Sequence, residues 1–486
     1  MQRLATFTRA ACALAAISFA LPGWSQSFWG ADPFKTLNDV APAPGTMWTP
    51  RHALPPVVPP AVSPAPQTAT ALTLPELTEF ALRNNPRARQ AWFAARAAAA
   101  GVGVEQADLL PQVSGTFTAT RIRPISGTTG TVSPWQTRYG PAVSLSYLLL
   151  DFARDDQIAA AEYRLLAANL NQNRVLQDVV FQVEQAYYRL LGFDLLIRVN
   201  EISLQNLRTA LDAAQRRRES GLATVADVYR SETQVAQAEV NLTRSRGEFE
   251  KARGQLAAAT GLPVNESLRI QTLTELPQVG VMTASVTDML DRARGTRPDL
   301  VAAEAQARAA QKSAAAASKA TLPTIEIAGT AGRTFFLDDL SRATRVPANN
   351  FTLAMNVRVP IFNGFRDKYA THQAQALAQQ AEASRDTLYR QTELDVWQAY
   401  YDVQTAASGI SSTEAQVRSA EQTSQATLAR YNSGFGSILD LITAQLDESN
   451  ARVQRIQSYL DWYTALARLH FSTGFNEIVT AATEKK

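Results

Sequence analysis

Phe351-Thr-Leu-Ala-Met-Asn-Val-Arg-Val359 is the stretch on which the fold turns. Phe351, Leu353, Met355, Val357 and Val359 fall on one face, and Thr352, Ala354, Asn356 and Arg358 on the other. A period of two is the mark of a β-strand, and Thr324 to Gly332 repeats it just upstream. The same pattern occurs earlier in the chain. From Gln112 to Thr120, Val113, Gly115, Phe117 and Ala119 alternate with Ser114, Thr116, Thr118 and Thr120. From Tyr139 to Leu149, Val143, Leu145 and Tyr147 oppose Ala142, Ser144 and Ser146. Four such strands, two hairpins, interrupt an otherwise helical chain.

The two hairpins belong to a duplication. Asn85-Pro86 answers Arg297-Pro298, Leu110-Pro111 answers Leu322-Pro323 and Asp151-Phe-Ala-Arg154 answers Asn363-Gly-Phe-Arg366, all at an offset of 212. Gln185-Ala-Tyr-Tyr188, Ser220-Gly221, Asp227 and Thr260-Gly261 return at 213 as Gln398-Ala-Tyr-Tyr401, Ser433-Gly434, Asp440 and Thr473-Gly474. Ordered anchors at one offset with one slipped residue indicate a repeated unit. The reading gives a signal peptide over 1–25, a Pro-rich extended arm over 26–70, a first repeat over 71–270, a second over 271–475 and a tail over 476–486. In each repeat a helix (Glu76 to Ala107 in the first) precedes the hairpin (112–149; 324–360), a long helix follows (152–219; 365–432), and a shorter helix returns (224–260; 437–473).

The signal peptide rests on Arg3 and Arg9 before the apolar run from Ala10 to Leu21, with cleavage expected after Ala20 or Ser25. Cys12, the one cysteine, lies inside that run, which leaves no lipid-accepting cysteine at the mature terminus and no cysteine zinc site. Prolines from Pro42 to Pro66 mark the extended arm. Composition excludes other classes. At 46% hydrophobic the chain is too apolar for disorder, and 47 basic against 44 acidic residues give no electrostatic case for nucleic-acid binding. Three scattered histidines offer no metal cluster. No P-loop, Gly-x-Ser-x-Gly or His-Glu-x-x-His is present, and Gly101-Val-Gly103 lacks the strand a dinucleotide site needs, so no catalytic residue, cofactor or metal is assigned.

Environment follows from the strand faces. Each strand is about the ten residues a tilted membrane strand needs, apolar on one side and Ser, Thr, Asn or Arg on the other, as in a water-filled barrel in lipid. Four strands do not close a barrel and open edges are not tolerated in hydrocarbon, so several copies must share one; three would supply twelve strands. The long helix from Phe152 to Glu219 holds no proline, and at 1.5 Å per residue makes a rod about 100 Å long that must project out of the membrane. Each rod stops at a Ser-Gly and the return begins at Thr224-Val-Ala-Asp227 or Ser437-Ile-Leu-Asp440, both read as capping boxes near a positive helix end.

These residues resemble the TolC-like outer-membrane efflux proteins, most specifically through Arg297-Pro298-Asp299-Leu300, Val359-Pro-Ile-Phe-Asn-Gly-Phe-Arg366, Tyr431-Asn-Ser-Gly434, Leu439-Asp440-Leu441 and Ala444-Gln445. The resemblance implies a membrane α/β fold: a homotrimer whose twelve-stranded outer-membrane barrel continues as a coiled-coil α-barrel in the periplasm. It further implies docking to a periplasmic adaptor and an inner-membrane pump, of the proton-driven RND type in preference to the ABC type. Small-molecule export is preferred to type I protein secretion, and a non-pore periplasmic scaffold is the reading from another class. In relatives, acidic residues in the helix after the second tip turn line the closed aperture; Asp440 matches the first such position and Thr443 stands at the second. Gate candidates are Asp440, Tyr431 and Asp227, each of which also has a bland structural role as helix cap or packing. The tip turns Ser220-Gly221 and Ser433-Gly434 are candidate adaptor contacts, or simply helix stops. Arg216-Arg-Arg218 either latches the tip or complements a helix C-terminus. Glu326 and Arg358 are expected to face the lumen, and Trp135, Tyr139 and Tyr147 fit an interfacial girdle or ordinary packing.

Overall fold

The computed structural model describes residues 71–123, 135–266, 269–271, 284–336 and 347–474. The signal peptide, the Pro-rich arm, the hairpin loop over 124–134 and the tail over 476–486 lie outside the described residues.

The first repeat runs α1 (Leu74–Asn84), α2 (Pro86–Ala107), β1 (Gln112–Ile122), β2 (Gln136–Leu150), α3 (Arg154–Glu219) and α4 (Val225–Thr260). The second follows in the same order as α5 (Val286–Thr296), α6 (Pro298–Lys319), β3 (Thr324–Phe336), β4 (Ala348–Arg358), α7 (Arg366–Asn432) and α8 (Ile438–Thr473). One correction concerns the segment from Glu76 to Ala107, expected as a single helix. It breaks at Asn85, which is extended (φ −65°, ψ 126°) because a proline follows it, and restarts with Pro86 as the first helical residue. Thr73 with Glu76 and Ser285 with Asp288 cap α1 and α5 reciprocally, at the 212-residue offset.

That break is what joins the helices end to end. Gly261 closes α4 with φ 82°, and a side chain there would stand 3.0 Å from the backbone of Asn84 and Asn85. Asn85 Nδ2 donates to the Ala259 carbonyl at 2.8 Å, so α2 begins where α4 ends. The second repeat repeats the joint: Gly474 (φ 72°) closes α8 against Thr296 and Arg297. The glycines are required because the positive φ and the close backbone both exclude a Cβ.

A buried ionic node fills the second joint. Arg297, 3% exposed, donates from Nε to Asp299 Oδ1 at 3.0 Å and from Nη1 to the Ser472 carbonyl at 3.2 Å. Arg174 of α3 lies 3.7 Å from Asp299 and 3.7 Å above the Phe471 ring, and donates to the Phe471 carbonyl. Burial alone would raise the Asp299 carboxyl, but the hydrogen bonds from Arg297 and the charges of Arg174 and Arg297 outweigh it and hold it below the usual carboxylate range.

Along the rods, α3 and α4 pack through Leu204, Leu207, Ala238 and Leu242, while Ala399, Val403, Ala465 and Leu469 do the same for α7 and α8. The largest buried cluster gathers Leu77, Val179, Val183, Leu190 and Leu256 around the first joint.

The strands form one antiparallel sheet in the order β1-β2-β3-β4. Register carries the face separation across all four. Val113, Leu145, Gly329 and Leu353 share a row, as do Gly115, Val143, Ala331 and Phe351, and Tyr147, Ile327 and Met355. Between these rows lie Ser114, Ser144, Thr330 and Thr352. The apolar face is open: Phe351 is 78% exposed and Phe117 70%. At the end of the sheet carrying the 124–134 loop, Tyr139 stacks on Phe335 at 5.5 Å, and the Arg121 guanidinium stands 5.5 Å over the Trp135 ring. Among the described residues no helix is long and apolar enough to cross a membrane.

Candidate functional site

Two surfaces carry chemistry: the helical tip and the polar face of the sheet. At the first tip turn, the Gly221 N–H bonds to the Arg218 carbonyl at 2.9 Å and the Leu222 N–H to the Arg217 carbonyl at 2.8 Å. At the second, Gly434 bonds to Tyr431 at 3.0 Å and Phe435 to Arg430 at 3.0 Å. Gly221 (φ 74°) and Gly434 (φ 86°) provide the left-handed residue this helix stop needs. In such a stop the next apolar residue ordinarily folds back onto its own helix. Here Leu222 is 75% exposed and Phe435 84%, so each turn presents an apolar knob beside Ser220-Gly221 or Ser433-Gly434. The turn residues are legible in the sequence, whereas the only sequence signal of the knobs is the 213-residue spacing of Leu222 and Phe435.

The two acidic tip residues, equivalent by sequence, differ in the structure. Asp227 completes a capping box. Its carboxylate accepts from the Thr224 N–H at 3.0 Å and hydroxyl at 2.8 Å, while Thr224 Oγ1 accepts from the Asp227 N–H at 3.3 Å. Those backbone and side-chain hydrogen bonds hold its pKa below the ordinary value. At Ser437 and Asp440 the box expected from the sequence is half made. Ser437 Oγ accepts from the Asp440 N–H at 3.1 Å, but the Asp440 carboxylate does not reach back and stands exposed. Thr443, one turn on, is exposed as well.

Tyr431 is buried, at 2% exposure, in a cluster with Ala210, Ala214, Val228, Ile438, Leu441 and Ile442 that ties the two tips together. The Arg217 guanidinium stacks 4.3 Å from its ring centroid, and among the described residues the Tyr431 hydroxyl has no hydrogen-bond partner. Of the three arginines, Arg216 pairs with Asp212 on its own helix, and Arg217 bridges from the first repeat to the second. Tyr431 thus packs inside the subunit, while Asp440 faces out of it.

On the sheet, Glu326 sits opposite Asn356 and Leu148, and Arg358 opposite Thr324, on the face that carries Ser144 and Thr352. Tyr139 and Tyr147 lie on the apolar face.

The outer membrane efflux protein family matches residues 77–262 and 289–475. The chain belongs to that family. One matched block falls within each repeat, and the family is one of outer-membrane export channels, which places the protein in the outer membrane. The chain is similar to Protein CyaE of Bordetella pertussis, 26% identical over 386 residues, covering 79% of this chain and 80% of that one. It is similar also to the proteases secretion protein PrtF of Dickeya chrysanthemi, 23% identical over 423 residues and covering 84% and 89%. Among solved structures, the outer-membrane channel OprN shares the fold with a TM-score of 0.74 at 21% identity, covering 83% of this chain and 90% of that chain.

Proposed function

We propose that three copies close a twelve-stranded barrel that turns its apolar face to lipid and its Ser-Thr-Asn face, with Glu326 and Arg358, to a water-filled lumen. The rods of α3 and α7 carry the lumen through the periplasm, and the tip is the gate. The observation that supports this best is the sheet itself. It exposes a continuous apolar face, a continuous polar face and two unpaired edges, which only lipid outside, water inside and further copies at both edges satisfy together.

In this reading the free Asp440 carboxylates of three copies ring the closed aperture, repel one another and gather cations. Asp227 is occupied in its cap, and Tyr431 with Arg217 braces the tip from within. Leu222 and Phe435, beside Ser220-Gly221 and Ser433-Gly434, offer apolar contacts to a periplasmic adaptor. The pump energising the duct is of the proton-driven RND type, and the cargo is small molecules. The family's description as efflux proteins favours that cargo, whereas the likeness to PrtF keeps protein secretion beside an ATP-driven pump as the second reading.

Deleting the gene in its host separates the two. Small-molecule efflux is expected to raise sensitivity to toxic organic compounds and metals with the secreted protein profile unchanged. Loss of a secreted protein at unchanged sensitivity would overturn it in favour of secretion.

A further inference from the structure

The two hairpins superpose residue for residue in register. Gln112 pairs with Ser146 and Thr324 with Arg358, and Val113 pairs with Leu145 and Ile325 with Val357, each at the 212-residue offset. The joint between the repeats, β2 against β3, is therefore a joint between two copies of one unit. It fixes how such units meet edge to edge: Val143 faces Ala331, Ser144 faces Thr330 and Leu145 faces Gly329. The edges left open, β4 and β1, are the repeat equivalents of β2 and β3.

We infer that β4 of one copy pairs antiparallel with β1 of the next in the register that the β2–β3 joint dictates, with Asn356 opposite Thr118 of the partner subunit. The inference rests on the shared-barrel reading above and specifies its seam. Moving the β2 member forward and the β3 member back by one repeat turns Ser144–Thr330 into Asn356–Thr118. Val143–Ala331 becomes Met355–Ala119, and Leu145–Gly329 becomes Val357–Phe117.

Two independent features agree with this register. The first is face parity. Asn356 and Thr118 both belong to polar rows, whereas Met355, Val357, Ala119 and Phe117 belong to apolar ones. A slip by one residue would turn the polar rows of one strand into lipid, so only even slips survive. The second is unpartnered area. Val357 is 57% and Phe117 70% exposed, and this register sets them side by side. Slips of two residues would place Val357 against Ala119 or Gly115 and make the joint between copies unlike the joint within one.

Cysteine pairs test this, because Cys12, the one native cysteine, lies in the expected signal peptide. Directly opposed strand residues bring Cα atoms within the span of a disulfide, while a two-residue slip adds about 6.6 Å along the strand and removes them from it. The full chain carrying Thr118→Cys with Asn356→Cys, oxidised in outer membranes, is expected to give covalently linked subunits on a non-reducing gel. The yield should exceed that of the slipped pairs Thr116→Cys with Asn356→Cys and Thr120→Cys with Asn356→Cys at least tenfold. The single variants, all on the exposed polar face, should give none. A slipped pair that links better overturns the register and leaves the shared barrel standing. No linkage by any pair in protein that migrates as a trimer also overturns the register. No linkage in protein that sediments as a folded monomer in detergent overturns the shared barrel itself.

Discussion

Asp227 and Asp440 occupy the same position in the two repeats, and replacing each by alanine is expected to give opposite results. Asp227→Ala removes the acceptor of two hydrogen bonds and leaves the Thr224 N–H without its partner. The expected cost is about 1 kcal/mol at the start of α4, the usual scale for a cap. Asp440→Ala leaves the one capping bond that exists, from the Asp440 N–H to Ser437, because that bond uses the backbone. Its structural cost is the loss of an exposed charge near a helix N-terminus, about 0.3–1 kcal/mol. The effect on conduction runs the other way. A carboxylate about 5 Å from a divalent cation contributes roughly 1.5 kcal/mol even at the dielectric of water. Neutralising a ring of three should therefore raise the blocking concentration of a divalent cation at least tenfold, since tenfold corresponds to about 1.4 kcal/mol. Single-channel recording in planar bilayers across a divalent titration reads the block, and hydrogen exchange of the α4 and α8 first turns reads the caps. Relief of block by Asp227→Ala and not by Asp440→Ala would refute the assignment. The Asp227 cap also carries a pH dependence. The folded pKa of Asp227 is depressed, so its cap is intact above the unfolded carboxyl value and is lost as pH falls through the lower folded value.

Three further outcomes are expected. Tyr431→Phe removes a buried hydroxyl that has no partner among the described residues and keeps the ring beneath Arg217, so thermal stability should hold or rise by up to about 1 kcal/mol; a loss of stability would show that the hydroxyl is bonded in the assembled channel. Arg297→Ala leaves Asp299 buried beside Arg174 alone and should cost about 3–5 kcal/mol in a denaturant titration, and Arg297→Lys should recover little of it because a lysine does not make the forked contact. Glu184 is pushed up to about 7 by burial, so the native state holds more protons than the unfolded chain between about 4.5 and 7. Stability should fall by about 3 kcal/mol as pH rises through that window and then level off, and Glu184→Gln should flatten the profile; a melting temperature unaffected by pH in the native chain would contradict this.

Much of this architecture was legible because local and repeated signals carry it. The period-two faces of Gln112 to Thr120 and Phe351 to Val359, the Ser-Gly stops and the 212-residue offset are properties of short stretches, and short stretches set strands, turns and repeat boundaries without tertiary help. The sequence by itself therefore determined that a two-faced sheet and proline-free rods alternate twice along the chain. What it did not determine were relations between segments far apart. Equal residues at equal positions, Asp227 and Asp440, read alike, and only the folded tip engaged one carboxylate in its cap and left the other free. Arg297-Pro298-Asp299 stood out as a motif, but its role as the ionic seal of the α8–α6 joint needed Arg174 and Ser472, which lie more than a hundred residues away on either side. Tyr431 matched a gate position, yet whether a tyrosine on a rod faces a pore or a neighbour depends on which helices surround it, and packing placed it inside. Periodicity fixes which face of an element is apolar; only the docking of one element on another decides which charges are paired, which rings are buried and which groups remain free to act.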